Sequence, residues 1–207
     1  MRLPGGRQAQ PGAARRAGDY RMTLTNPPIL ETDRLILRGP LHDDAAPLMD
    51  FLCDRDRAEG FGAYDNRSDA WRWFALNVGH WHLHGYGYFT IVDKASNAAA
   101  GIAGIWNPHG WPEPELGWVV FDGFEGKGIA YEAALRAREW AYAPDGLGFS
   151  TLTSNIVPGN DRSIALAERL GAWFERKYQN VHMGEDLLYR HPSPTDLESD
   201  GSVEAYA

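Results

Sequence analysis

The sequence has one cysteine, no surplus of positive charge and no long apolar run. Cys53 cannot close a disulfide within the chain. The chain holds 28 acidic and 20 basic residues, and its net charge of -8 repels phosphate backbones, which argues against nucleic acid as a main partner. No stretch stays apolar over the roughly 20 residues that a membrane-spanning helix needs. These absences predict a cytoplasmic protein without a membrane partner.

The composition suits one domain with a sizeable core, since 43% of the 207 residues are hydrophobic. This domain is expected at residues 29–191. Residues 1–28 lack apolar periodicity and residues 192–207 are acidic and polar, so both segments are predicted to be disordered tails. Translation from Met1 and translation from Met22 both remain open.

Between the tails, the hydrophobic period alternates between that of strands and that of helices. Strands are predicted at residues 34–38, 86–92, 100–106, 115–121, 149–156, 173–178 and 186–190. Helices are predicted at residues 44–54, from Ser68 to before Gly85, at residues 129–142 and after Asn160. Strands clustered in hairpins with helices between them predict an α/β (α+β) fold. Its mixed, mostly antiparallel sheet should have about six or seven strands and helices on both faces.

The segment Phe121–Glu132 places a strand end, a glycine-rich turn and a helix start in succession. The first N–H groups of a helix have no internal partners and lie at the positive end of its dipole, and Gly126 and Gly128 let the backbone approach a phosphate closely. Lys127 adds a mobile positive charge. The segment therefore indicates an anion site, although a turn that only connects strand and helix is the alternative.

Two common phosphate-binding motifs do not fit this turn. A P-loop needs Ser or Thr directly after its Gly-Lys pair, where Gly128 follows Lys127. The dinucleotide-binding fingerprint needs a third small residue where Tyr131 stands. A nucleotide or phosphate-ester enzyme is therefore disfavoured.

Four segments in order carry a family resemblance: Glu31–Arg38, Glu115–Val120, Gly126–Ala133 and Asn160–Gly171. They resemble the GNAT superfamily of N-acetyltransferases, particularly its ribosomal-protein alanine N-acetyltransferase branch. The resemblance implies transfer of an acetyl group from acetyl-CoA to a primary amine in a ternary complex, without a metal. The acceptor would be a small molecule or a protein N-terminus, and the protein a monomer or homodimer. A catalytically inactive acyl-CoA-binding module of the same fold is the alternative.

The resemblance also implies a set of cofactor-binding residues on a strand, on the glycine-rich turn and on a late helix. They are Val119, Val120, Gly126, Lys127, Gly128, Ile129, Ala130, Tyr131 and Asn160. The family usually has Gln or Arg immediately before its glycine-lysine-glycine run, where this chain has Glu125.

Acyl transfer to an amine needs a base for the nucleophile, a stabilised oxyanion and a proton for the leaving thiolate. Glu115 is the candidate catalytic base and Glu113 its nearest competitor. A strand N–H near Val119 would meet the oxyanion. Ser163 is the candidate catalytic acid, because many family members carry a Tyr where this chain has Ala167.

Histidines alternate over residues 80–84, which on a strand would suggest zinc. They fall at a predicted helix end before Gly85, where His interacts favourably with the helix dipole, so we expect no metal site. Trp106 and Trp111 lie where an acceptor loop is expected, whereas Trp71, Trp73 and Trp81 are expected in the core.

Overall fold

The structure, a computed structural model of the chain, describes residues 26–181 and 184–199. Its strands are β1 Leu30–Glu31, β2 Leu35–Arg38, β3 Tyr88–Asp93, β4 Ala98–Trp106, β5 Glu115–Val120, β6 Thr153–Ile156, β7 Trp173–Asn180 and β8 Gly184–Arg190. Its helices are α1 Ala45–Leu52, α2 Arg55–Ala58, α3 Arg67–His84, α4 Ile129–Tyr142, α5 Asp161–Arg169 and α6 Pro194–Ser199.

The strands form one sheet in the order β1-β2-β3-β4-β5-β6-β8-β7. Neighbouring strands are antiparallel except β5 and β6, which are parallel. The predicted mixed, mostly antiparallel sheet is therefore confirmed, but the described part of the chain has eight strands instead of six or seven. The additional strand, β1, has only two residues, which is too short to show the alternation that marks a strand in sequence.

Side chains alternate along the strands and so divide between two cores on opposite faces of the sheet. The core against α4 includes Leu37, Phe89, Ile105 and Leu116. The core beneath α1 and α3 includes Leu48, Phe74, Tyr88, Ile102, Trp106 and Val119. Helices thus cover both faces, as predicted, and the residues of β5 contribute alternately to the two cores.

Most elements begin and end within two residues of the predicted bounds, but β6 starts later and two short helices, α2 and α6, were not predicted. β6 begins at Thr153 instead of residue 149, because the N–H of Phe149 donates to Ala141 at the end of α4 (2.9 Å) and so closes that helix instead of pairing in the sheet. Helix α6 lies in the segment predicted to be a disordered tail. Ser193 caps it through a reciprocal pair of hydrogen bonds with Asp196, and a proline occupies its first position. The remaining parts of both predicted tails, residues 1–25 and 200–207, lie outside the described residues.

Candidate functional site: two cavities beside a strand junction

The parallel strands β5 and β6 pair at one position only, Glu115 with Thr153. One residue further on, the carbonyl of Leu116 accepts a hydrogen bond from the Ser154 hydroxyl at 2.6 Å instead of from a strand N–H. His191 Nε2 lies 2.9 Å from that hydroxyl. Because the hydroxyl gives its only proton to Leu116, the ring donates to it from Nε2. Pairing ends here, and a cleft of about 1130 Å³ extends along the outer half of β5.

The edge of β5 that faces this cleft offers main-chain donors. The N–H of Phe121 donates to Ala100 of β4 at 2.8 Å. Hydrogen-bonded positions alternate along an antiparallel ladder, so the main chain of Val119 faces β4, whereas the N–H groups of Trp118 and Val120 face the cleft. Val119 and Val120 both line the cleft. The N–H of Val119 faces β4, so an oxyanion donor near it would have to come from Trp118 or Val120.

The glycine-rich turn and the first turn of α4 form the far end of the cleft, where Gly126, Gly128, Ile129 and Ala130 line it. Lys127 and Tyr131, also predicted to bind the cofactor, are not among its described lining residues. Gly126 and Gly128 have φ angles of 72° and 77°, and a side chain at position 126 would meet no atom, so backbone conformation rather than space requires glycine there. Within the described residues, the N–H groups of residues 126–131 have no hydrogen-bond acceptor. This row of donors at a helix N-terminus can bind the oxygens of a diphosphate.

The charged side chains of the turn hold it in shape and offset its acidity. The ammonium group of Lys127 donates to the carbonyl of Gly123 at 2.6 Å, so it folds back onto the turn. Arg57 forms an ion pair with Glu125 and donates to the carbonyl of Val120 at 3.3 Å. The carboxylate that departs from the family pattern is therefore neutralised by a cation of α2.

Asn160 and Ser163 lie where this cleft meets a second, smaller cavity, and they line both. Asn160 caps α5 by accepting the N–H of Ser163 at 3.2 Å. A Cβ atom at Gly60 would come within 2.2 Å of the Asn160 amide nitrogen, so a side chain at position 60 would displace this amide. The cap and the hydroxyl of Ser163 are thus held at the junction.

The smaller cavity, of about 250 Å³, contains Glu115. This side chain is 9% exposed, and its Oε2 accepts hydrogen bonds from the indole of Trp111 and from the amide of Asn155 at 2.9 Å. Burial raises the pKa of Glu115 to about 7, although hydrogen bonds from Trp111 and from the side chain and backbone of Asn155 act in the opposite direction. A carboxylate with this pKa can accept a proton near neutral pH.

Sheet register brings two more polar side chains to the same face as Glu115. Its partner on β6 is Thr153, and Asn155 lies two residues further on. Asn155 in turn pairs with Leu188 of β8, two residues from Asp186. Because alternate residues of a strand share a face, Glu115, Asn155 and Asp186 all project toward the smaller cavity, which they line.

A comparison with known proteins decides the family of this chain. The family model described as the acetyltransferase (GNAT) domain matches residues 34–172. The chain belongs to the GNAT acetyltransferase family. The resemblance noted in the sequence is thereby confirmed.

Solved GNAT structures resemble the chain over most of its length. An acetyltransferase of Agrobacterium tumefaciens is 35% identical, with a TM-score of 0.72, over 79% of this chain and 94% of the other. A ribosomal-protein alanine acetyltransferase of Vibrio fischeri is 17% identical, with a TM-score of 0.62, over 81% and 98%. The aminoglycoside acetyltransferase AAC(6')-Ib, solved with coenzyme A, is 16% identical, with a TM-score of 0.66, over 80% and 98%. The last two show a shared fold only.

Glu113, the other candidate for the catalytic base, is engaged in an ion pair. Glu113 forms a two-pronged ion pair with Arg190, in which Nη2 and Oε1 are 2.8 Å apart. Hydrogen bonding to Arg190 lowers the pKa of Glu113, although partial burial raises it. A carboxylate held ionised in this way is a poor proton acceptor at neutral pH.

At the position where many GNAT members carry a tyrosine, this protein has a buried alanine that belongs to the hydrophobic core. Ala167 is fully buried against Ile156, Ala172 and Tyr189. Hydroxyl groups reach the junction from other elements: Ser163 from α5, and Tyr88 from β3. A Cβ atom at position 117 would lie 2.2 Å from the Tyr88 hydroxyl, which therefore reaches β5 across a glycine.

The Tyr88 hydroxyl lies in a buried environment. Burial raises its pKa well above the ordinary value, and the charge of Glu115 adds to this rise. The phenol therefore stays protonated and is available as a hydrogen-bond donor.

The histidines at residues 80–84 belong to α3, which ends before Gly85 as predicted. His80 is buried, and both its ring nitrogens engage the main chain: Nδ1 at 2.7 Å from the Tyr86 carbonyl and Nε2 at 3.2 Å from the Asn107 N–H. Among residues 26–181 and 184–199, no group of three or more metal-ligating side chains is found. His80 is therefore a packing residue, stacked against Trp106.

The tryptophans divide mostly as expected. Trp106 and Trp111 line the smaller cavity, and Trp81 is core. Trp73, expected in the core, also lines that cavity, and Trp71 is 40% exposed.

In the described part of the chain, every helix is too short or too polar to cross a lipid bilayer.

Sequence reasoning did not identify Arg57, Tyr88, Asn155 or Asp186. Tyr88 reads as an ordinary strand aromatic, and Asn155 and Asp186 read as solvent-facing strand residues. The one usable signal is Gly117, a glycine inside an otherwise apolar strand, which indicates that another group approaches the backbone closely.

Proposed function

We propose that this protein transfers an acetyl group from acetyl-CoA to the nitrogen of a primary amine, by direct attack within a ternary complex. The observation that carries the proposal is Glu115, a buried carboxylate with a pKa of about 7 at the strand junction where two cavities meet. The acceptor is a small molecule or a protein N-terminus.

The larger cleft fits coenzyme A by the chemistry of its lining. The unpaired N–H groups of residues 126–131 suit the diphosphate, and Asn160 lies near the thioester. The free N–H groups of Trp118 and Val120 suit a pantetheine arm lying along β5 in place of a strand. No metal enters the proposed reaction.

The reaction has a simple proton balance. Glu115 takes one proton from the ammonium form of the acceptor, and the freed nitrogen lone pair attacks the thioester carbonyl carbon. The N–C bond forms, the N–H of Trp118 or Val120 stabilises the oxyanion, and the C–S bond then breaks. The thiolate gains a proton from Ser163 or Tyr88, the second proton lost by the nitrogen restores that hydroxyl, and Glu115 releases the first proton to solvent. The products are an N-substituted acetamide, coenzyme A and one proton.

Measurement of free thiol released from acetyl-CoA tests the proposal. We expect thiol to appear only when a primary amine is added, across a panel of small amines and of peptides with free N-termini. Binding of coenzyme A is measured separately by titration. Binding without thiol release from any amine would favour the inactive acyl-CoA-binding module, and absence of binding would exclude both functions.

A further inference from the structure

The smaller cavity contains oxygen atoms that lack hydrogen-bond donors. Asp186 Oδ1 and Asn155 Oδ1 are buried and have no partner among the described residues. The other oxygen of Asp186 is satisfied, since Oδ2 accepts from Asn180 at 2.7 Å and from Tyr178 at 3.3 Å. The carboxylate of Glu115 receives hydrogen bonds from the Trp111 indole, the Asn155 amide and the Asn155 backbone. An ionised carboxylate has about four acceptor sites, so it can still accept a further donor.

Such atoms are costly for a fold to retain. A buried acceptor without a donor costs about 1–3 kcal/mol, and native proteins contain only a few. Asp186 is 2% exposed, and burial raises its pKa. A ligand that supplies N–H donors would remove this cost, so the two unpartnered oxygens point to a bound group rather than to a packing role.

The charge of the cavity selects the kind of donor. Its lining includes the carboxylates of Glu115 and Asp186, and no Lys, Arg or His among the described residues. Aromatic side chains form much of the remaining wall, and their ring faces attract cations. These aromatic residues are Phe61, Tyr64, Trp73, Tyr88, Trp106, Trp111 and Trp118.

We propose that Glu115, Asn155 and Asp186 bind the acceptor as a primary ammonium ion carried on a compact, largely apolar body. Two of the three N–H donors of a primary ammonium ion match the two unpartnered oxygens, and the third can donate to the carboxylate of Glu115. The cavity of about 250 Å³ lies below the roughly 300–1,000 Å³ of typical ligand pockets. It therefore admits one amine-bearing group instead of a multi-ring polyamine. This inference rests on the proposed acetyl transfer, in which Asp186 and Asn155 hold the group that Glu115 deprotonates.

A ligand series on the unmodified protein tests the charge requirement. Benzylamine, N,N-dimethylbenzylamine and benzyl alcohol are titrated in the presence of coenzyme A, with tryptophan fluorescence as the signal. We expect benzylamine to bind at least tenfold more tightly than benzyl alcohol, and the dimethyl compound to lie between them because it has one N–H donor. Equal affinity for benzylamine and the alcohol would overturn the inference.

The substitution Asp186→Asn tests the residue, because it places an amide where Oδ1 stood while keeping an oxygen for Asn180. We expect the KM for the amine to rise about tenfold or more, with little change in kcat or in the KM for acetyl-CoA. The matched control is Glu185→Gln. That carboxylate is exposed on the adjacent position of β8 and paired with Lys177 at 2.8 Å, and its loss should leave all three constants unchanged.

Thermal unfolding separates binding from a structural role. Because Asp186→Asn removes a buried, partly unsatisfied carboxylate, the variant should be at least as stable as the parent protein. A lower Tm together with weaker binding of benzyl alcohol would assign Asp186 to structure and overturn the inference.

Thiol release with an unchanged amine KM in Asp186→Asn would refute this inference alone. A preference for benzylamine without thiol release would refute the proposed reaction and keep the ammonium site.

Discussion

The two cavities of this protein are built from different parts of the chain. The larger cleft presents mainly backbone: the N–H groups of residues 126–131 and the free edge of β5. The smaller cavity presents side chains, with Glu115, Asn155 and Asp186 set among aromatic rings. A backbone surface tolerates many sequences, whereas a side-chain surface changes with each substitution. One fold can therefore keep its acyl donor while the acceptor varies.

The strongest test of this division between the two cavities is the substitution Glu115→Gln. It should slow the chemical step without affecting ligand binding in the larger cleft. Loss of a positioned base typically costs about 10²–10⁴ in rate, and we expect a fall in kcat of that order with unchanged binding of coenzyme A. In the parent protein, kcat/KM should rise with pH through about 7, because only the ionised carboxylate accepts a proton. The variant should lose this limb.

Glu113→Gln is the matched control, since the carboxylate of Glu113 is engaged by Arg190. It should retain the limb near pH 7. If Glu113→Gln lost this pH dependence and Glu115→Gln kept it, the base would be Glu113 and our assignment to Glu115 would be wrong.

A second comparison asks which cavity supplies the proton for the thiolate. Ser163 lines both cavities and Tyr88 only the smaller one. We expect Ser163→Ala to lower kcat by about tenfold to a hundredfold, toward the low end for a general acid, and Tyr88→Phe to lower it less. Steady-state kinetics with one amine measures both. A larger effect of Tyr88→Phe would place the proton donor on the acceptor side.

The smallest expected effect concerns Glu125, the acidic side chain directly before the glycine-lysine-glycine run. In Arg57→Ala, the carboxylate of Glu125 loses its partner, and the KM for acetyl-CoA should rise about tenfold, which corresponds to about 1.4 kcal/mol. Adding Glu125→Gln should restore the KM. The neighbouring Arg55→Ala removes an exposed cation paired with Asp65 and serves as the control.

Because surface charge effects are screened by salt, the rise in KM for Arg57→Ala should shrink as ionic strength increases. Failure of Glu125→Gln to restore the KM would show that Arg57 acts through its contact with Val120 or its packing over Phe51 instead.

The larger cleft could be predicted because its signal is contiguous in sequence. Strand end, glycines and helix start occur within residues 121–132, so local backbone chemistry is enough to predict donors at that point. Asn160 and Gly171 likewise bracket α5 by ordinary capping rules. Each of these features depends on neighbours a few residues away.

The smaller cavity could not be predicted in the same way. Asn155 and Asp186 come from strands that pair across the sheet, and the register that brings them to Glu115 is a long-range property. The pKa of Glu115 depends on burial, and a glutamate at the start of a strand is usually solvated. The sequence named this residue through family resemblance, but the cause of its basicity appears only in three dimensions.

The Ser154 hydroxyl has a consequence for the energetics of substrate capture. By satisfying the Leu116 carbonyl, it ends the contact between β5 and β6 through a bond that belongs to the folded chain itself. The gap between these strands is thus a feature of the fold itself, and acetyl-CoA, the donor that we propose, would find it already open. No strand pair has to separate on binding. None of the favourable free energy of contacts along the exposed strand edge is therefore needed to open the sheet, and it can contribute to affinity and to alignment of the thioester.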